Sequence, residues 1–289
     1  MPVMLHALAN RRLLALLLGC AWLIGSPVSA QQRPVLTEDP DPVGEGKMLI
    51  EAGVDHTWTQ RFPVSGLEGH LLRGPLLGLS SGMGSSSELQ VDGLSWSRLA
   101  IRTRFDAPLS STVESGGPST ASVDDIVIGA KTRVLRETAH RPSIGLRFAT
   151  RLPNAGNEKG IGTDTMDFFQ SLLVAKSIRS TRVVGNIGMG ILSDPVRGDR
   201  QNDVLTYGVS VVQRLRRVAL VADVNGWVST RAGTPPVGTD TRGTATFGVR
   251  YPIGRVRFDG GFYTALTSSD ARTGVTGGIT WTFDSVLGT

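Results

Sequence analysis

From Gly46 onward one pattern recurs about a dozen times: apolar side chains alternate with threonine, serine, glycine and charged residues. Period-two alternation puts the two sets on opposite faces of an extended strand. The last run shows it well. Val275, Gly277, Ile279, Trp281 and Phe283 share one face, and Thr276, Gly278, Thr280 and Thr282 share the other. In this run as in most others, the apolar face is continuous and nearly free of charge. A strand whose clean face is greasy and whose second face is polar needs an apolar surrounding on one side and water or counter-charges on the other.

Twelve strands are expected, at 46–62, 70–81, 86–98, 123–136, 143–152, 165–178, 182–192, 202–213, 218–228, 241–251, 255–267 and 273–283. In 143–152, Ile144, Leu146 and Phe148 oppose Ser143, Gly145, Arg147 and Arg151; in 202–213, Leu205, Val209 and Val211 oppose Thr206, Gly208 and Ser210. The adjacent Phe168 and Phe169 fit either phase. Connectors alternate between short ones, such as 82–85, 179–181, 214–217 and 252–254, and longer Gly/Ser/Pro/Asn/Asp-rich ones, such as 99–122, 153–164, 193–201 and 229–240. An even strand number with alternating short and long connectors describes an outer-membrane barrel: short periplasmic turns, longer extracellular loops and both termini in the periplasm. Past residue 30 no apolar run is long enough for a transmembrane helix. Lipid offers no partner to a free backbone group, so a spanning sheet must close on itself. The expected fold is therefore all-β, a closed antiparallel transmembrane β-barrel of about 12 strands. The competing reading is a soluble β-sandwich or β-solenoid, which would turn a charged face outward.

The first thirty residues read as a signal peptide. Arg11 and Arg12 precede the apolar stretch Leu13 to Ile24, and Val28-Ser29-Ala30 supplies small residues for cleavage. Lipidation at Cys20, within Leu17-Leu18-Gly19-Cys20, is the other processing route. Residues 31–45, with Pro34, Pro40 and Pro42 among several acids, read as an irregular periplasmic lead-in, and 46–289 as the barrel. Cys20 is the single cysteine, so cleavage after Ala30 leaves a chain without thiol or disulfide chemistry. Arg11 and Arg12 leave with the signal, so 28 of the 30 basic residues remain against 25 acidic ones, a net +3. That balance excludes nucleic acid as a partner, which calls for a clustered basic face.

Charged residues within strands must face inward if the apolar faces meet lipid, because lipid penalises an Arg or Lys at mid-depth by about 2–4 kcal/mol. The lumen-lining candidates are Glu51, Asp55, Glu88, Asp92, Lys131, Arg133, Arg147, Arg151, Asp223, Asn225, Arg257 and Asp259. One reading sets an acidic wall on the early strands against a basic wall on the fourth and fifth, giving a field across a narrow pore. The other has the same groups pair and fill the interior. Arg147 and Arg151, two apart in phase, are the leading pair. The loop 99–122 is expected to be a surface loop or an inward constriction.

Enzymatic activity is not expected. Past the signal only His56, His70 and His140 remain; His56 is in phase with the outward residues, and the other two fall in connectors. No nucleophile elbow precedes a helix, and no spacing resembles a metal site. No cofactor is expected.

Asp125-Ile126-Val127-Ile128-Gly129-Ala130-Lys131, Pro142-Ser143-Ile144-Gly145-Leu146-Arg147-Phe148, Arg151-Leu152-Pro153-Asn154 and Gly188-Met189-Gly190-Ile191 resemble the outer-membrane transporter-like family named for the meta-cleavage pathway of phenol degradation. The resemblance implies a barrel that admits hydrophobic or aromatic compounds; it carries over no binding residue. The expected function is thus passive passage of small organic molecules across the outer membrane of a Gram-negative bacterium, and the alternative is a closed-lumen structural or assembly-type barrel. The expected partners are outer-membrane lipid and lipopolysaccharide, a small organic solute and the barrel-insertion machinery, with the chain acting as a monomer.

Overall fold

A computed structural model describes residues 33–270 and 273–285; the signal-peptide and Cys20 expectations lie outside them. Twelve strands close into one antiparallel barrel. They are β1 (Lys47–Phe62), β2 (Leu67–Met83), β3 (Ser87–Leu94 continuing as Trp96–Arg104), β4 (Ser119–Val123 continuing as Val127–Leu135), β5 (Ser143–Arg151), β6 (Asp167–Ile178), β7 (Thr181–Ser193), β8 (Gln201–Leu215), β9 (Val218–Ser229), β10 (Arg242–Ile253), β11 (Val256–Ala265) and β12 (Thr273–Asp284). Each strand pairs with its neighbours in sequence, and β1 pairs with both β2 and β12, so the sheet has no edge. Closure of this kind is what a spanning sheet requires in hydrocarbon.

Two strands are broken at one level, and side chains satisfy the break. β3 is interrupted at Ser95 and β4 at 124–126. The Ser95 and Ser97 hydroxyls donate to the Asp124 carboxylate, the latter at 2.5 Å; the Ile126 amide donates to Asn154 Oδ1 at 3.2 Å and the Ala155 amide to Asp125 Oδ1 at 2.8 Å. Backbone groups released from the ladder thus regain partners within the wall.

Burial is inverted relative to a water-soluble protein. Phe148 and Phe247 are each 56% exposed, whereas Lys131 is fully buried and Glu88 is 1% exposed. A soluble sandwich would show the reverse, so the outer surface is built for acyl chains. Phe168 points outward and Phe169 lines the interior, which fixes the phase of β6.

The loop read as 99–122 is shorter, because β3 runs on to Arg104 and β4 starts at Ser119. Nor is it a free surface loop. Val113 and Ile161 pack against Leu67, Leu71 and Leu99 on the inner face of β2 and β3, and the Ser65 hydroxyl donates to the Gly160 carbonyl at 2.6 Å. Both outer loops therefore tuck into one side of the mouth. His70 also departs from expectation: it lies within β2 and not in a connector.

Candidate functional site

The largest departure from the sequence reading is the course of residues 33–46. The stretch is irregular as expected, but it lies inside the barrel and not outside it in the periplasm. It travels round the inner wall. The Arg33 guanidinium donates to Thr276 Oγ1 at 2.7 Å and to the Gly277 carbonyl at 3.1 Å on β12, while the Arg33 carbonyl accepts from Arg250 at 2.8 Å and Arg257 at 3.0 Å. The Leu36 amide reaches Asp223 on β9 at 3.3 Å. Glu38 takes the Lys131 ammonium of β4 at 2.8 Å and Gln90 of β3 at 2.7 Å. Asp39 accepts two bonds from Arg182 of β7 at 2.5 and 2.7 Å. Asp41 collects Arg182 at 2.8 Å, Arg133 at 3.1 Å and the Ser143 hydroxyl at 2.8 Å. The Val43 amide ends the circuit on Glu88 at 2.6 Å.

Glycine makes room for this passage. A Cβ at Gly208 would stand 2.7 Å from Thr37 Oγ1, and one at Gly248 would stand 2.7 Å from Pro34 Cγ. Any side chain there would push the segment off the wall. Gly145 faces Pro40 in the same way, with a Cβ 3.1 Å from the ring. Glycines that read in the sequence as part of the polar stripe are therefore seats for the lumenal segment.

The structure places all twelve candidate residues on the inner face, but it does not hold them as facing walls. Glu88 and Lys131 sit opposite each other on adjacent strands, with Lys131 Nζ 2.9 Å from Glu88 and 2.8 Å from Glu38. Arg147 donates to Gln90 at 2.7 Å and lies 3.7 Å from Glu38. Arg133 meets Asp41, as above. Arg151 goes elsewhere: it pairs with Asp167 and lies 3.8 Å from Asp125 nearer the outer mouth. Across the barrel, Glu51 accepts from Arg257 at 3.3 Å and from the Arg33 amide at 3.2 Å. Asp55 and Asp259 stand 4.0 and 3.5 Å from Arg33. Asp223 takes Asn225 at 2.6 Å, and Asp92 lines the middle of the lumen beside Arg147. The acids and bases of the wall are therefore bridged, largely through Arg33, Glu38, Asp39 and Asp41. These four residues lay outside the sequence-derived set. Their one signal was three acids between prolines where an inert leader needs none.

Open space remains on both sides of the segment. A cavity of about 420 Å³ at the end of the short turns is lined by Arg182, Arg250, Pro252 and Phe283. A middle cavity of about 480 Å³ and an outer one of about 630 Å³ share Arg33, Leu36, Arg73, Phe169 and Trp227 as lining, so they run together. Val35 and Thr37 line both the lowest and the middle cavity, which sets the segment between them. Among the described residues no group of three His, Cys, Asp or Glu side chains could hold a metal. His56 and His70 stack at 6.1 Å on β1 and β2, and His140 lies in the turn after β4.

Comparison with known proteins adds architecture. No family model matches the chain, and no curated protein matches it in sequence. Among solved structures, the COG4313 outer membrane channel from Pseudomonas putida F1 is similar with a TM-score of 0.59 at 11% identity, over 86% of this chain and 100% of that one. The NanC porin aligns at a TM-score of 0.48 and 8% identity, over 81% of this chain and all of its own. At 11% identity the likeness to the COG4313 channel is one of fold alone, that of an outer-membrane barrel.

Proposed function

We propose that this protein is a monomeric outer-membrane channel for small organic molecules, with residues 33–45 setting the width of its lumen. The observation that carries this reading is the position of that segment. It lies between two open cavities, and side chains and glycine seats hold it where strand pairing would have made it part of the wall. A structure meant only to be rigid has no use for open space above and below. Aromatic solutes suit the outer half, where Phe62, Phe169, Trp227 and Tyr263 share the lining with Arg73, Arg151 and Arg242. Ring faces and guanidinium groups together favour an aromatic molecule bearing an anionic group. Passage of such compounds also fits the resemblance to the family named for phenol degradation. In this reading cleavage follows Ala30, so the mature chain begins two residues before the lumenal segment.

Planar-bilayer conductance and liposome swelling with benzoate and with phenol provide the test, on the wild type and on a chain lacking 33–45. Small conductance in the first and a clear increase in the second are expected. If neither form conducts any solute, the second reading holds, a closed structural barrel, which the dense wall-to-segment ion pairing favours.

A further inference from the structure

Among the described residues the outer wall carries few charges, and the upper half of β3 holds three arginines close together. Trp96, Arg98 and Ala100 alternate there with the buried Ser97 and Leu99; the register against β2 then shifts by one residue, and beyond it Arg102 and Arg104 are exposed as well. Arg104 donates to the Ser115 and Gly117 carbonyls at 2.7 and 2.8 Å. Arg98 and Arg102 have no hydrogen-bond or ion-pair partner among the described residues. Two free guanidiniums on a lipid-facing strand need explanation.

Their depth supplies one. Below Arg98 the outward residues of β3 are Trp96, Leu94 and Leu89, at 43, 42 and 48% exposure. The stretch from Ser87 to Trp96, at about 3.3 Å per residue and a tilt near 40°, rises roughly 25 Å, the height of the apolar band. Arg98 is thus the first outward residue above the hydrocarbon on the loop side, and Arg102 lies about 10 Å higher by the same geometry. Cross-strand pairing places Leu72 and His56 in the row of Arg98, with His70 beside Ala100. The nearby outward acid, Glu68, faces Arg61 at 4.0 Å. The patch is therefore net positive, at headgroup height in the outer leaflet, above a greasy wall.

We propose that Arg98 and Arg102 bind the phosphorylated headgroup of an outer-leaflet glycolipid of the lipid A class. Each guanidinium presents a planar fork that matches a phosphate. The two lie at most about 13 Å apart along the strand, a separation that suits a headgroup with two anionic groups, while Trp96 and Leu94 meet the acyl chains below.

Native mass spectrometry of the purified full-length protein, titrated with bisphosphorylated lipid A, with its dephosphorylated form and with phosphatidylglycerol, tests this. The wild type is expected to hold the bisphosphorylated lipid at least about tenfold more tightly than either other lipid, a difference of about 1.4 kcal/mol. R98Q/R102Q should lose that preference, whereas R216Q/R217Q, on the turn at the opposite rim, should keep it. Heat-modifiable gel mobility confirms that each variant is folded, and single R102Q, with a partial loss, serves if the double variant does not fold. Equal binding by wild type and R98Q/R102Q, or equal binding of all three lipids, overturns the proposal.

Discussion

Replacing Lys131 with methionine puts the lumenal segment under the sharpest test. Lys131 is fully buried, and its ammonium lies 2.8 Å from Glu38 of the segment and 2.9 Å from Glu88 of the wall. Methionine preserves the stem but removes the cation, so two carboxylates bridged by Gln90 at 2.7 and 2.8 Å are left facing each other. Breaking a buried pair by deleting one partner costs about 3–5 kcal/mol, because the remaining charge stays desolvated and unpaired. The wall keeps its ladder, so the cost falls on the weaker partner, which is the segment. At about 1.4 kcal/mol per tenfold, the equilibrium constant for its docking on the wall falls by roughly two to three and a half orders of magnitude. Single-channel recording should show larger and noisier openings in K131M than in wild type. A Val35→Cys reporter should react faster with a small thiol reagent in the K131M background. Adding Glu38→Gln and Glu88→Gln should restore wild-type conductance, since both charges left unpaired are then gone. Unchanged conductance and unchanged labelling in K131M would refute the idea that ion pairs hold the segment.

Four further outcomes follow from the same geometry. Gly208→Leu should displace Thr37 and raise conductance without unfolding the barrel, read by planar-bilayer recording beside heat-modifiable mobility, because the added side chain needs the space the segment occupies. Arg182→Ala removes the fork that holds Asp39 and Asp41 and should open the lumen as K131M does, scored as faster liposome swelling. Arg73→Gln should slow swelling in benzoate more than in phenol, since Arg73 lines both the middle and outer cavities; an equal effect on both solutes would remove charge recognition from the reading. In the turn after β4, burial would raise the Glu137 pKa, but the Ser177 amide and hydroxyl, Lys176 and Arg182 outweigh it and hold the group below the usual glutamate range. Its contribution is therefore present above the unfolded pKa and lost as pH falls through the lowered one. The small stability gap between wild type and E137Q, about 0–1 kcal/mol for such an exposed set of pairs, should close in acid, as followed by urea unfolding at several pH values.

Strand number, order and phase were legible because each strand writes its two environments into successive residues. Val209 against Ser210, or Phe148 against Arg147, needs no distant partner to be read. Closure was legible too, since lipid permits a spanning sheet in no other form. The inward direction of Glu88, Lys131 and Arg147 followed from the same alternation. Limits appeared where local pattern weakens: at Gly93 and Ser95, where β3 breaks and resumes, and at Arg104, where a strand runs on past its apolar stretch.

What the tertiary structure alone decided is which charges meet. Glu38 and Lys131 are 93 residues apart, and Asp39 and Arg182 are 143 apart. No periodicity links residues so distant, because contact between them exists only once the sheet has curled and its interior has become a shared volume. The chain before Gly46 has no alternation of its own, so its sequence gives its irregularity and not its address. Its place inside is set by charges and glycine gaps supplied by strands all round the barrel, and those become neighbours only on closure.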